Sequence, residues 1–417
     1  MTITLPEPIA HSVTLPPDAA YKVRQAIGLN SKSSLRIAFI AGPGDVVGTF
    51  DFWSQGAHDP RTPVIAYSSM FYTLVDGLEA EALVLIEQDK QPTEPDLRFR
   101  FVHIPRQRNR RGIGYRLDER AYTNKVLRHL REYCPDVILI GTDAPDALLA
   151  GLPRTKRVIL TAHNTYWPMD HRGTSLKVHL KLWMKKRALR RVDLAVNTSD
   201  ECAAQVATLG GPSDTQSFTE VPQVLPDFYP ESPLQALAAR RLLYVGRIEA
   251  NKGVFDLLGA FDAVAVDHPD LTLEFAGSGS CDAPLQAAIA ASPHADRITF
   301  HGQLIAQAIH DRMDAVDLLI CPTRSTFNEG LGLVVVEAAV HGVPTLLSSV
   351  VPAKGLLPGA CAEFPVDNIV ALTGTLRRII NTPTEYGALC AGLAKRRRQF
   401  RDRSKSWGSM LYCALSA

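Results

Sequence analysis

Between Asn328 and Ser348 the chain reads NEGLGLVVVEAAVHGVPTLLS, and no other stretch restricts its fold as tightly. Gly330 and Gly332 form a turn into an apolar run, which ends at His341-Gly342 as helices commonly do. Val343-Pro344-Thr345-Leu346-Leu347 then has the buried character of the next strand in an α/β unit. Two carboxylates bracket the turn, Glu329 before the helix and Glu337 inside it. A helix starting near Leu331 would place Glu337 roughly 9 Å along its axis, about the length of a diphosphate bridge. The glycines admit close backbone approach, and the amides of Leu331, Gly332 and Leu333 would be free at the positive end of the helix. Ionised carboxylates accept hydrogen bonds from paired hydroxyls. The segment therefore suits a ligand with phosphates at its centre and hydroxyl-rich ends. By itself it equally suits two surface glutamates beside a helix start, so the rest of the chain must decide.

The C-terminal half continues in the same alternation. Leu242 to Gly246 is a short apolar strand, followed by Arg247, by Lys252-Gly253 and by a helix with Val254, Leu257, Leu258, Phe261 and Val264 on one face. Leu271 to Ala276 runs into Gly277-Ser278-Gly279, Ile298 to Gln303 is another strand and turn with Leu304 after it, and Val316 to Pro322 feeds the Glu329 loop. In the N-terminal half, Leu35 to Ala41 leads to Gly42-Pro43-Gly44, and Val137 to Gly141 is a later strand. Val158 to Thr161 runs into Ala162-His163-Asn164, and Val192 to Ser199 is a further strand. Open parallel sheets bind ligands beyond the carboxyl ends of their strands, where Arg247, Lys252 and His163 fall.

The glycine turn with its carboxylate pair, the G-V-P strand start and the Arg247 and Lys252 pair together resemble the signature of family 4 retaining glycosyltransferases. The likeness covers nearly all of residues 240–350 and is looser before them. It implies an α/β chain of GT-B fold, two facing Rossmann-like doubly wound parallel-sheet domains. It places Glu329 and His163 at the donor sugar, Glu337 at the ribose, and Arg247 and Lys252 on the diphosphate. With them come the amides of Gly330, Leu331, Gly332 and Leu333, and the Gly277–Gly279 turn with Gln303 and Leu304 beside the nucleoside. Gly42 and Gly44 stand where the family has a glycine pair touching donor phosphate and acceptor, although Pro43 separates them here. GDVVGTFDFW after that loop, and Pro222 to Pro226 in place of an asparagine-glycine-valine exit, also depart from the pattern. The implied activity is transfer of a sugar, with retained configuration, from a nucleotide-diphosphate sugar to a glycan or lipid-linked acceptor of bacterial cell-surface synthesis. It requires no cofactor and no metal, since no D-x-D triplet is present and two cations supply positive charge. A sugar-nucleotide epimerase on the same fold and a noncatalytic nucleotide-sugar binder are the alternatives.

With 417 residues, 46% of them hydrophobic and 21% charged, the chain reads as a globular protein of at least two domains. The expected divisions are an N-terminal extension at 1–33, a first domain at 34–225, a proline-rich linker at 226–233, a second domain at 234–400 and a returning helix at 401–417. A net charge of +2 makes no case for nucleic acid as partner, and seven cysteines without a C-x-x-C pair make neither a disulfide framework nor a zinc site. The expected location is cytoplasmic, with attachment at the inner face of the membrane resting on two basic stretches. Leu97 to Leu117 carries seven arginines and no acid, a density that attracts anions. Ser175 to Arg191 forms an amphipathic helix with Leu176, Leu180, Trp183 and Met184 on one face and Lys177, Lys181 and Lys185 beside them. Such a helix lies either on an anionic membrane surface or with its apolar face in the core; amphipathicity alone does not separate the two.

Overall fold

A computed structural model describes residues 12–31, 33–108, 112–212, 216–231 and 238–417. Residues 1–11 and Lys32 of the expected N-terminal extension, the end of the expected linker at 232–233, and Arg110 and Arg111 lie outside the described residues.

The chain builds two parallel sheets. The first uses β1 (Leu35–Ile40), β2 (Ala80–Ile86), β3 (Phe99–His103), β4 (Val137–Gly141), β5 (Arg157–Ala162), β6 (Leu194–Asn197) and β7 (Ser217–Thr219) in the order β3-β2-β1-β4-β5-β6-β7. The second uses β8 (Arg241–Val245), β9 (Thr272–Ala276), β10 (Ile298–Gly302), β11 (Leu318–Cys321), β12 (Thr345–Ser348) and β13 (Cys361–Phe364) in the order β10-β9-β8-β11-β12-β13. This is the doubly wound GT-B architecture that the motifs imply. Strands such as Val137–Gly141 are apolar at nearly every position because helices cover both faces, which removes the polar alternation of a half-exposed sheet. Strand order reverses between β1 and β4 and again between β8 and β11, and a ligand crevice opens at such points. The loops leaving β1, β4, β8 and β11 carry Gly42, Asp143, Arg247 and Glu329.

One face of each sheet contributes to a single apolar cluster, running from Ile37 and Leu139 through Leu331 and Val335 to Leu243 and Leu319. The opposite face of each has its own core. The last helix, Trp407–Ser416, lies against helices Ala19–Ala26 and Tyr67–Gly77 and strands β6 and β7 of the first domain, with Trp407 fully buried. Backbone bonds from Val221 to Lys405 (2.9 Å) and from Val224 to Phe400 (3.0 Å) lash the returning segment to the outgoing one.

The two basic stretches differ. Arg98 pairs with Asp76 and Asp96, while Arg106 and Arg108 pair with Glu87 and Asp143. Three of the seven arginines between Leu97 and Leu117 are thus paired with acids outside the stretch, while Arg100 and Arg116 are exposed. In the helix Leu176–Leu189 only Ala188 and Leu189 are buried, and Leu176 (87%), Leu180 (56%), Trp183 (58%) and Met184 (42%) are exposed. Its apolar face is therefore outside the core.

The domains meet at Gly330. A Cβ there would lie 2.0 Å from the carbonyl oxygen of His163, and the Ser199 hydroxyl donates to the Gly330 carbonyl at 2.7 Å. Gly330→Ala forces these backbones apart, so small-angle X-ray scattering of the variant should show a larger radius of gyration than the parent. An unchanged radius would show that the contact does not set domain closure.

Candidate active site

Lys252 ends a short 3-10 turn, Ala250–Lys252, and Gly253 follows in the left-handed region at φ 74° before the helix Val254–Ala265. A side chain at Gly253 would meet the Pro322 carbonyl at 2.0 Å, so the Lys252 loop packs directly on the exit of β11. That packing brings Lys252 Nζ to 2.6 Å from Glu329 Oε2, which also accepts from the Thr323 hydroxyl at 3.2 Å. The Phe327 ring lies beneath both cations, 3.7 Å from Lys252 Nζ and 5.0 Å from the Arg247 guanidinium. Arg247 is more exposed and pairs with Glu249 at 3.0 Å. Lys252 and Glu329 thus hold each other in place, which keeps ammonium and carboxylate oriented before a ligand arrives.

The helix after Glu329 spans Leu333–Val340, with Gly332 as its cap at φ 92°. It begins two residues later than expected, because Leu331 is drawn into the apolar cluster between domains and its carbonyl accepts from Ala353 at 2.9 Å. The exposed first-turn amides are those of Leu333 and Val334, while Val335 donates to Gly332 at 2.9 Å. Glu337 consequently stands only about 6 Å along the helix axis, less than the diphosphate spacing. Its carboxylate sits in the cleft without a hydrogen-bond donor or cation among the described residues, and burial pushes it up to about 7.

Gly277 and Gly279 are pressed against the Arg247 loop rather than open space: added Cβ atoms would meet Gly246 O at 1.9 Å and Ile248 O at 2.4 Å. Their immediate requirement is this backbone packing. Gln303 accepts from the Ser278 hydroxyl at 2.7 Å, and Leu304 lines the cleft. Gly42 and Gly44, in contrast, have nothing within 4 Å of an added Cβ and line the cavity of the first domain. Their missing side chains leave that cavity open.

Two cavities of ≈ 350 and ≈ 760 Å³ adjoin across the domains and share Arg61, Pro63, Leu333 and Glu337 as walls. The smaller holds Arg247, Lys252 and Glu329, and the larger holds His163, Gly42 and Gly44. His163 Nδ1 is 3.2 Å from Thr198 Oγ1, its ring stacks on Tyr67 with centroids 4.4 Å apart, and burial lowers it to about 4, so the imidazole is neutral. Arg61, which local reading missed, is held by Asp45 and Asp59, each at 2.6 Å. No motif marks it, because its partners and its place in the wall are set by folding of the loop. Thr323 and Phe327 were likewise missed, although they sit in the loop that carries Glu329.

Residues 239–381 match the family described as glycosyl transferases group 1, and residues 43–219 match a glycosyl transferase 4-like domain. The chain belongs to the group 1, family 4 glycosyltransferases. It is 26% identical over 262 residues, 57% of its length, to a 2-deoxystreptamine glucosyltransferase of Streptomyces kanamyceticus, and spans 64% of that protein. It is also 26% identical over 260 residues, covering 55% of this chain and 64% of the other, to a GDP-mannose-dependent monoacylated phosphatidylinositol monomannoside mannosyltransferase of Corynebacterium glutamicum. The fold is similar to sucrose-phosphate synthase of Thermosynechococcus elongatus, with TM-score 0.63, 16% identity and coverage of 90% and 96% of the two chains. It is similar as well to Anabaena HepE in complex with UDP-glucose, with TM-score 0.59, 18% identity and coverage of 91% and 98%.

Glu337 sits above its ordinary value of 4.5, so below that pH it is protonated whether folded or unfolded and carries no burial penalty. As the pH rises through about 7 the folded protein must bury an ionised carboxylate, and stability is lost. Glu337→Gln should therefore raise the Tm of the ligand-free protein at pH 8.5, with the gain disappearing toward pH 5. Equal shifts at both pH values in thermal denaturation would contradict this.

Proposed function

We propose that this protein is a retaining glycosyltransferase that uses a nucleotide-diphosphate sugar. The observation that carries this reading is the convergence of Arg247, Lys252 and Glu329 on one cleft wall, facing His163 and the open Gly42 loop across the domain boundary. Arg247 and Lys252 are placed to stabilise a departing diphosphate, and the Leu333 and Val334 amides add the positive end of their helix. Glu329, already oriented by Lys252, would accept hydrogen bonds from sugar hydroxyls, and Glu337 from the ribose. The sugar's anomeric carbon exchanges its bond to the diphosphate oxygen for one to the acceptor oxygen on the same face. The acceptor's proton passes to the leaving phosphate, so no protein nucleophile is needed. The two cations do the work of a divalent ion, and catalysis is expected to persist in chelator. Nucleotide-sugar use is supported by the relatives' names and by the UDP-glucose complex of HepE.

We propose further that the acceptor is a glycan or lipid-linked saccharide met at an anionic membrane surface on the cytoplasmic side. The outward Leu176, Leu180, Trp183 and Met184, flanked by Lys177 and Lys181, suit an interface of acyl chains and anionic headgroups. No helix of the described residues is long and apolar enough to cross a membrane. An epimerase would need acid and base groups at the sugar; incubation without acceptor distinguishes it by yielding an epimer, whereas a transferase slowly releases free sugar.

Lys252→Ala and Glu329→Ala should each lower kcat by about 100-fold or more in EDTA-containing buffer while the circular dichroism spectrum is retained, on the scale of losing a charged leaving-group contact. Glu337→Ala should chiefly raise KM for the donor. Near-normal turnover in the first two, or dependence on added divalent ion, would refute these roles. In liposome sedimentation, binding should favour phosphatidylglycerol over phosphatidylcholine vesicles and drop in Trp183→Ser. Equal partitioning onto both would remove the membrane proposal.

A further inference from the structure

Behind His163 lies a polar cluster that the proposed transfer chemistry does not use. Glu220, directly after β7, is 1% exposed, and its Oε1 accepts from the Tyr67 hydroxyl at 2.6 Å. The Thr198 hydroxyl is 3.2 Å from His163 Nδ1 and adjoins both the Glu220 carboxylate and the Tyr67 hydroxyl. The other titratable groups facing the cluster are Cys202, from the helix Asp200–Thr208, and Asp143, from the loop after β4. A buried carboxylate without a cation is costly, and its hydroxyl partners must supply all its stabilisation.

A hydroxyl has one proton to give. When Glu220 is ionised, Thr198 donates to it and can only accept from His163, which puts the imidazole proton on Nδ1. His163 lines the larger cavity, so its remaining nitrogen, Nε2, is then a bare acceptor for the ligand. When Glu220 is protonated it becomes a donor, the Thr198 hydroxyl turns toward His163, and the ring proton sits on Nε2.

We infer that Glu220 is a positioning residue that sets, through Thr198, whether His163 offers the substrate a hydrogen-bond acceptor or a donor. The ring stays neutral throughout, and only the place of its one proton changes. Burial pushes Glu220 up to about 7, so both states are populated near neutral pH. The inference rests on reading the cleft as a sugar site only for its consequence in turnover. The coupling itself is a property of the ligand-free protein.

The test uses the full chain with 15N-labelled histidine. The His163 signals are identified as those missing in His163→Asn, and their proton–nitrogen correlations report the tautomer. The expected result is the Nδ1–H form at pH 8.5, passing to the Nε2–H form as the pH falls through about 7. Glu220→Gln, whose amide donates to Thr198 at every pH, should hold the Nε2–H form throughout. Thr198→Val should uncouple the tautomer from pH and Thr198→Ser should restore the coupling, so the question stays decidable if Glu220→Gln fails to fold. A tautomer indifferent to pH in the parent, or to Glu220→Gln, would overturn the inference even if transferase activity is found. Correct tautomer behaviour without any transfer would instead count against the proposed function.

Discussion

One loop joins the two halves of this molecule and carries its central carboxylate. The side chain of Glu329 reaches back to Lys252 in its own domain, while the backbone of Glu329 and Gly330 accepts from Thr165 and Ser199 in the other. Because adjacent atoms of the same loop make both sets of contacts, the position of the carboxylate and the closure of the cleft are not independent. Each such hydrogen bond contributes only about 1 kcal/mol net, and Leu331, next in the chain, belongs to the apolar cluster that both domains share. The glycine at 330 allows the approach, since any Cβ would strike the His163 carbonyl.

Three glutamates of the cleft region are treated differently by their surroundings. Glu329 has a cation and a hydroxyl as partners, Glu220 has hydroxyls only, and Glu337 has neither among the described residues. Burial raises the latter two to about 7, with no cation beside either among the described residues. Unpaired carboxylates in a cleft are costly to the free protein and are more readily explained by a bound partner than by stability. Glu337 is open to the ligand space, whereas Glu220 is behind it, bonded to Tyr67, with Thr198 between it and His163.

Local pattern was enough to find nine of the strands, because runs such as LRIAFIA and VILIG are apolar on both faces and bounded by turns. It passed over β2, β3, β7 and β13, whose segments carry polar residues or are very short, as Ser217–Thr219 is. The glycines divide in an instructive way. Gly42 and Gly44 face open cavity, but Gly277, Gly279 and Gly330 are required by other backbone, and sequence does not distinguish a glycine that makes room for a ligand from one that makes room for the chain. Arg98, Arg106 and Arg108 looked unpaired because Asp76, Glu87 and Asp143 lie outside the Leu97 to Leu117 stretch.

By itself the sequence determined the alternation of strand and helix, the doubly wound class and the order of the Arg247, Lys252 and Glu329 motifs, since all of these follow from hydrophobic period and turn chemistry within a few residues. Only the tertiary structure decided that the helix beside Glu329 starts at Leu333, that Arg61 walls both cavities, that Glu220 stands behind His163, and that the Trp183 face is outward. These depend on which distant segments meet. Burial and hydrogen bonding are properties of the assembled surfaces, and the same local string is satisfied equally well with its polar and apolar groups turned either way.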